Sequence, residues 1–251
     1  MTKDNHVVHC VWVGGALSLL EQLTIKLLQS NGHEVHLWTY GVLYGVPDDV
    51  VVRDASSILP ESSMFRYGGE PLGCLPNGGI GSLSHWSDQF QLKLLDSHGG
   101  IYTQMDVAHL KPIQIENSVA MPVWKGADVC VAPYIMKCLS GNEFTKRAYE
   151  KTARELHRNT SWIGLDWNIS MRLMGEALEQ TYSNIEECSI DLSTVWDLGC
   201  RDNGPFFEDM EIPDDITTIH WSNATVNNRK DDPIIGSTYW RLLKKMKLIA
   251  D

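Results

Sequence analysis

Residues 6–40, HVVHCVWVGGALSLLEQLTIKLLQSNGHEVHLWTY, decide the fold. The apolar, β-branched stretch 6–13 predicts a strand, and the glycine pair at 14–15 predicts a turn after it. The next segment carries leucines at helical spacing, which predicts an amphipathic helix. Residues 34–40 then alternate between apolar and polar, as a second strand would. A strand, helix and strand in this order favour a parallel sheet with helices on its faces.

The remainder of the chain continues this alternation and predicts one domain. Residues 46–81 are rich in Pro, Gly and Ser, which is typical of loops. The other elements expected are a helix over 85–98 that Ser84 caps, strands over 101–107, 127–135 and 217–221, and helices over 142–158 and 166–182. No repeat or linker marks a boundary, so we predict a single domain, 1–251, of the α/β class. Its mostly parallel central sheet would be Rossmann-like and flanked by helices, although the first turn, VGGALS, lacks the GxGxxG fingerprint of dinucleotide binding.

The composition is that of an ordinary soluble protein and argues against some functions. Hydrophobic residues make up 43% and charged residues 21% of the 251 positions, and no apolar run approaches the roughly 20 residues of a membrane span. The net charge of −11 argues against a nucleic-acid partner, which would need a basic face. Six cysteines show neither a CxxC pair nor metal-ligand spacing, and no leader opens the sequence. We therefore expect reduced thiols and a cytoplasmic location.

A lone acid stands out in residues 99–112, GGIYTQMDVAHLKP. Asp106 falls in a predicted buried strand, where an unpaired carboxylate is costly. Such an acid usually meets a cation or a donor-rich ligand. The alternative is structural: Asp106 caps a turn or pairs with Lys111.

The segment around this acid, residues 85–112 (HWSDQFQLKLLDSHGGIYTQMDVAHLKP), resembles a known family. It is similar to the sugar-nucleotide-binding region of the DXD glycosyltransferases related to yeast initiating mannosyltransferase and the large clostridial glucosylating toxins. The positions that fit the family's register are Ser87, Asp88, Gly99, Gly100, Ile101, Tyr102, Asp106, Val107, Leu110, Lys111 and Pro112. Residues 9–15 and 32–40 resemble the family's first two strands, and 219–227, IHWSNATVN, resembles its C-terminal His-Trp segment.

The resemblance implies a GT-A type fold and a glycosyltransferase that retains anomeric configuration. The donor would be a UDP- or GDP-sugar, the acceptor a glycan or lipid-linked glycan, and the product a surface polysaccharide or glycoprotein. The catalytic residues would be Asp88 and Asp106, with Asp88 on the donor sugar. The metal, Mn²⁺ or Mg²⁺, would be held by Asp106 and His220. His220, Ser222 and Asn223 could supply a metal ligand or a phosphate contact, but His220 is equally well interpreted as a core histidine. The donor-binding residues implied are Val11, Trp12, Val13, Asp88, Gln91, Tyr102, Gln104, Trp221, Ser222 and Asn223.

Two positions depart from the family pattern, and both lose a charge. The first acid of the DXD motif is Gln104, and the Arg expected three places after Asp88 is Gln91. Glutamine hydrogen-bonds through its amide but brings no charge, which weakens the metal site. Because an acid and a base are lost together, we interpret the two changes as coupled. We favour an active transferase; the alternative is a non-catalytic or metal-independent module that binds a nucleotide sugar or glycan.

Two further segments have open interpretations. Residues 166–168, in GLDWN, could face the acceptor, but an acid at a helix start more often complements the helix dipole. The basic, amphipathic end of the chain, 237–251, suits peripheral contact with a membrane bearing a lipid-linked acceptor. The alternative for it is a helix docked on the sheet with its charges in solvent.

Overall fold

The computed structural model describes residues 6–68, 79–158, 166–198, 204–226 and 229–250, without the side chains of residues 224 and 225. The fold is mixed α/β, with a mostly parallel central sheet flanked by helices, as the sequence predicts. The chain divides into two compact units. The first unit is Met1–Arg53, Gln104–Gln114 and Asp191–Asp251, and the second is Asp54–Thr103 and Ile115–Ile190. The expectation of one domain stays a prediction.

The strands are β1 (Val7–Trp12), β2 (Glu34–Thr39), β3 (Val51–Asp54), β4 (Gly100–Thr103), β5 (Val107–His109), β6 (Val123–Lys125), β7 (Val129–Val131), β8 (Ile135–Cys138), β9 (Val195–Asp197) and β10 (Thr218–His220). The α-helices are α1 (Leu19–Ser30), α2 (Ser84–His98), α3 (Glu143–Arg158), α4 (Ile169–Thr181), α5 (Gly204–Phe207), α6 (Asn223–Val226) and α7 (Thr238–Lys245). Short 3-10 turns lie between several of these elements.

The first unit opens with the predicted strand, helix and strand. Strands β1 and β2 pair in parallel from Val7 opposite Glu34 to Trp12 opposite Thr39. Helix α1 connects them, and it begins with a capping box in which the Glu21 carboxylate accepts the Ser18 backbone N–H at 2.7 Å. This cap sets the start of the helix because it satisfies donors that the first turn leaves unpaired.

A second sheet in the same unit carries the late part of the chain. Strand β10 pairs antiparallel with β5 and parallel with β9. Helix α7 packs against α1 and α5, and its apolar residues Leu242 and Leu243 join the core of the unit. Tyr239 stacks on Phe206, with the ring centroids 4.2 Å apart. This packing supports the alternative of a docked C-terminal helix whose charges are solvated.

The second unit combines helices α2, α3 and α4 with two antiparallel strand pairs. Strand β4 pairs with β8, and β6 pairs with β7. Helix α4 lies so close to β7 that a Cβ built on Gly175 would be 1.8 Å from the Val129 carbonyl oxygen. The strand predicted over 127–135 is instead the end of one hairpin and the start of another strand, because Pro133 lacks the N–H that a continuous ladder needs.

The strand predicted over 101–107 is also wrong in its extent. Strand β4 ends at Thr103, and the next strand begins at Val107, so Asp106 lies in a turn rather than inside a strand. The predicted helices over 85–98 and 142–158 are confirmed, although Ser84 lies in the first turn of α2 and Leu83, not Ser84, is its N-cap. The helix over 166–182 and the strand over 217–221 are present within a few residues. The four cysteines within the described residues are free thiols, whereas Cys74 and Cys200 fall outside them. None of the described helices is long and apolar enough to cross a membrane.

Candidate functional site

Asp106 is tied to the start of α6 by two hydrogen bonds. Its carboxylate Oδ2 accepts the Asn223 backbone N–H at 2.6 Å, and its backbone carbonyl accepts the Trp221 N–H at 2.9 Å. The residue is 8% exposed. Lys111 forms no ion pair with Asp106, and its ammonium donates to the Asp214 carbonyl oxygen at 2.6 Å. The bond from the Asn223 N–H matches the other structural alternative, in which Asp106 caps a turn. The turn around Asp106 therefore presents one carboxylate to the segment that follows β10.

His220, the last residue of β10, lies between two carboxylates. Its Nδ1 is 2.9 Å from Asp197 Oδ1, and its Nε2 is 3.7 Å from Asp106 Oδ2. Burial lowers the pKa of the imidazole, but the hydrogen bond with Asp197 and the charges of both carboxylates outweigh it, so the pKa of His220 is raised. The histidine is therefore part of a polar cluster and not only a core residue.

The residues after His220 form a tight turn with one orphaned acceptor. Ser222 adopts a left-handed backbone conformation, with φ at 54°. The buried Asn223 Oδ1 has no hydrogen-bond partner among the described residues. Because a buried acceptor without a partner is costly, this atom is a candidate contact for a bound ligand or cation. Trp221 is fully buried and packs against Phe206 and Tyr239, so its assignment to donor binding stays a prediction.

The donor set fits a hard divalent cation only in part. Within the described residues, no three His, Cys, Asp or Glu side chains are grouped so that they could hold a metal. Asp106 Oδ2 and His220 Nε2 would be two ligand atoms of such a cation, and Asn223 Oδ1 is a neutral oxygen of the kind that Mg²⁺ and Mn²⁺ accept. The set is sufficient where phosphate oxygens complete the coordination, as substrate phosphates usually do for Mg²⁺.

The carboxyl end of β1 carries Val11, Trp12 and Val13, which the resemblance assigns to donor binding. The Trp12 indole N–H donates to the Ala16 carbonyl oxygen at 3.0 Å, which holds the ring over the glycine turn. The Lys230 ammonium lies 5.3 Å from the centre of that ring. This edge of a parallel sheet is where α/β folds usually bind ligands, which is compatible with the assignment.

A buried ion pair near this edge was not anticipated. Lys230 Nζ lies 2.6 Å from Glu21 Oε1, and the two side chains are 6% and 0% exposed. The Tyr239 hydroxyl also donates to the Lys230 carbonyl oxygen, at 2.7 Å. The spacing of Ser18 and Glu21 predicts the capping box. No sequence signal links Glu21 to Lys230, which lies far along the chain.

In the second unit, helix α2 holds a buried acid and a buried amide. Asp88 is 5% exposed, and burial raises its pKa to about 7, although the nearby Ser170 hydroxyl acts in the opposite direction. Gln91 is 1% exposed, and neither its amide oxygen nor its amide nitrogen has a partner among the described residues. Tyr102, on β4, is also buried. Gln104 belongs to the first unit, so its coupling to Gln91 stays a prediction.

Residues 166–168 act at the start of a helix, in line with the structural alternative. Asp166 accepts the Asn168 backbone N–H at 2.9 Å and forms an ion pair with Arg172. Burial raises the pKa of Asp166, but these hydrogen bonds and the Arg172 charge outweigh it and leave the pKa lowered. Trp167 packs edge-on against Tyr67 and His85. An acceptor role for this segment stays a prediction.

Comparisons with known proteins agree at the level of fold. No protein-family model matches the chain, and no curated protein matches its sequence. Among solved structures, an active-site mutant of LgtC shares a TM-score of 0.53 and 8% identity over 98% of each chain. The galactosyltransferase LgtC in complex with donor and acceptor sugar analogues gives 0.51 and 8%, also over 98% of each chain. The PaToxG glycosyltransferase gives 0.50 and 12%, over 72% of this chain and 71% of that one.

These structural neighbours are GT-A glycosyltransferases, so the chain has a glycosyltransferase fold. At identities of 8% to 12%, this likeness shows the fold alone. Any chemical role has to be argued from the residues described above.

Proposed function

We propose that this protein transfers a sugar from a UDP- or GDP-sugar to a glycan acceptor, with retention of configuration and with the help of Mn²⁺ or Mg²⁺. The observation that carries the proposal is the cluster of Asp106, His220 and Asn223. Its three oxygen and nitrogen donors come from a turn and a strand end that are distant in sequence. The GT-A fold of the neighbours supports the reaction class.

The leaving group of such a donor is a nucleoside diphosphate, whose charge has to be neutralised as it departs. A bound divalent cation supplies this neutralisation as a Lewis acid. Asp106 and His220 would hold it, and the orphaned Asn223 oxygen would add a neutral ligand. The hydrogen bond from the Asn223 N–H fixes the Asp106 carboxylate in advance, so little reorganisation is needed when the donor binds.

The donor sugar would be bound by α2. Asp88 can accept hydrogen bonds from hydroxyls when ionised and donate one when protonated, and a pKa of about 7 makes both forms accessible near neutral pH. The buried Gln91 amide has two unpartnered groups, among the described residues, with which a sugar hydroxyl could pair. These features support a sugar subsite on this helix. A neighbour solved with donor and acceptor sugar analogues supports binding of both substrates.

The acceptor and its location are proposals of the same kind. A lipid-linked glycan acceptor would bring a cytoplasmic enzyme to the membrane surface. The apolar face of α7 is buried in the core, so membrane contact would rest on charge, through residues such as Lys245 and Lys247, rather than on insertion of the helix.

A binding module without catalysis is the second candidate, and the uncharged Gln91 and Gln104 favour it.

Hydrolysis of the donor distinguishes the transferase from the binding module. We expect the purified protein to release UDP or GDP from one sugar nucleotide in a manganese-dependent reaction. Asp106→Asn, which keeps an acceptor for the Asn223 N–H but loses the charge, should abolish release, and Asp214→Asn at an exposed position should not. Binding without release by the wild type would favour the module.

A further inference from the structure

We propose that Asp197 is a positioning residue that fixes the tautomer of His220, so that Nε2 of the imidazole faces Asp106 as a metal ligand. The inference rests on the proposed function, since it concerns the same cation site. Neither the sequence nor the resemblance singles out Asp197. The strand that carries it was not predicted.

Strand pairing places the three residues in a row. In the sheet of the first unit, β10 lies between β9 and β5, and His220 is opposite Asp197 on one side and Val107 on the other. Asp106 directly precedes Val107. The register thus sets the Asp197 carboxylate beside the imidazole, and the turn before β5 brings the Asp106 carboxylate to its other side. A shift of β9 by one residue would turn the Asp197 side chain to the other face of the sheet.

The two nitrogens of the ring have different partners. Nδ1 lies 2.9 Å from Asp197 Oδ1, a normal hydrogen-bond distance, and an ionised carboxylate can only accept. The proton of a neutral His220 is therefore on Nδ1, and Nε2 keeps its lone pair. Nε2 lies 3.7 Å from Asp106 Oδ2, too far for a hydrogen bond. Two neighbouring ligands of an octahedral cation with bonds of about 2.1 Å are about 3.0 Å apart, so the two atoms would have to close by less than about 1 Å to hold one cation.

Asp197 itself is excluded as a ligand of that cation because it contacts the opposite nitrogen of the ring. Histidines that bind metals usually donate their other N–H to a carboxylate, which orients the ring and raises its basicity. Loss of such a partner typically weakens metal binding about 10- to 100-fold. The competing interpretation is an imidazolium that bridges two carboxylates for structural reasons only.

The test uses the full chain labelled with ¹⁵N-histidine, at pH 8, with Mn²⁺ as the probe. Long-range ¹H–¹⁵N spectra report the tautomer, and the His220 signals are assigned by their loss in His220→Gln. We expect Nδ1–H in the wild type. In Asp197→Asn the amide can donate to Nδ1, which should shift the ring to the Nε2–H form. Electron paramagnetic resonance should show Mn²⁺ affinity about 10-fold weaker or worse in that variant.

Two further variants separate positioning from general stability. Asp197→Glu keeps the carboxylate and should restore Nδ1–H and most of the affinity. Asp232→Asn, at an exposed acid paired with Arg229, should change neither measurement. The inference is overturned if Asp197→Asn keeps both the Nδ1–H tautomer and wild-type affinity; donor hydrolysis by the wild type would still support the transferase. If the wild type hydrolyses donor but binds no Mn²⁺, the inference and the metal dependence of the proposed function fall, and the sugar transfer stands. If it does neither, both proposals fall.

Discussion

The Asp106 carboxylate accepts the backbone N–H of Asn223 at 2.6 Å, although 117 positions separate the two residues in the chain. This bond joins the turn after β4 to the turn after β10. Each turn would be an ordinary loop by itself. Together they bring the Asp106 carboxylate within 3.7 Å of the His220 imidazole and tie it to the backbone of Asn223, which is the arrangement that the proposed donor site needs.

Removal of only one member of the buried ion pair between Glu21 and Lys230 should strongly destabilise the protein. Lys230→Met leaves the Glu21 charge in the core, so we expect a loss of about 3–5 kcal/mol in the free energy of unfolding. The double variant Glu21→Gln with Lys230→Met should recover part of that loss. Urea unfolding measures both. Lys151→Met, in a more exposed pair with Glu176, should cost about 1 kcal/mol or less. Equal losses at the two lysines would contradict this account.

Asp88 should make stability fall as pH rises from about 4 to 7. Its pKa is raised to about 7 in the folded protein, against an ordinary value of 3.8. In that range the folded state keeps a proton that the unfolded state has released, so each pH step costs stability. The total is on the order of 4 kcal/mol. The Asp88→Asn variant does not lose stability in this way. The difference in the free energy of unfolding between this variant and the wild type, measured with urea, should therefore grow up to pH 7 and then level off. A difference that does not change with pH would contradict the assignment.

Gly175 should be intolerant of any side chain. A Cβ there would meet the Val129 carbonyl oxygen, at 1.8 Å, and the next nearest atoms are also backbone. Gly175→Ala has to push α4 away from β7, so we expect a loss of about 3 kcal/mol or more in the free energy of unfolding. Gly126→Ala is the matched control, because its nearest neighbour would be 4.0 Å away. That change should stay within about 0.5 kcal/mol.

Contact with anionic membranes, if the acceptor is lipid-linked, should depend on charge. Lys26, Lys245 and Lys247 line one groove of the first unit, together with the acids Glu34 and Asp49. Changing the three lysines to Gln should abolish flotation with phosphatidylserine vesicles, since each contributes about 1 kcal/mol at low salt. Thermal stability should be unchanged. Flotation that survives the triple change would contradict the account. Truncation of the C-terminal helix is unsuitable as a test, because it would remove apolar side chains from the core.

The fold could be predicted where a local pattern repeats several times. The apolar periodicity over residues 6–40 predicts β1, α1 and β2, and the structure confirms all three. The predicted strands over 101–107 and 127–135 were too long, because an apolar run does not show where a turn interrupts it. Pro133 could have warned of one break, but the turn at 104–106 carries no such residue.

The sequence predicts the motif residues of the candidate site but not the residues that position them. The resemblance pairs Asp106 with His220, and the structure places their side chains 3.7 Å apart. Asp197 was missed because β9 is only three residues long and half-exposed, which leaves little pattern to read. Its importance comes from its register opposite His220. The partner of Glu21 was missed for a similar reason, since long-range pairing follows from the tertiary fold.

Calorimetric titration with UDP- and GDP-sugars, each with and without Mn²⁺, tests the central claim most directly. The account predicts that one donor binds more tightly when Mn²⁺ is present and that this gain disappears in Asp106→Asn, while Asp214→Asn behaves as the wild type. Binding of the donor with equal affinity with and without Mn²⁺, unchanged in Asp106→Asn, would contradict a metal-assisted site at Asp106.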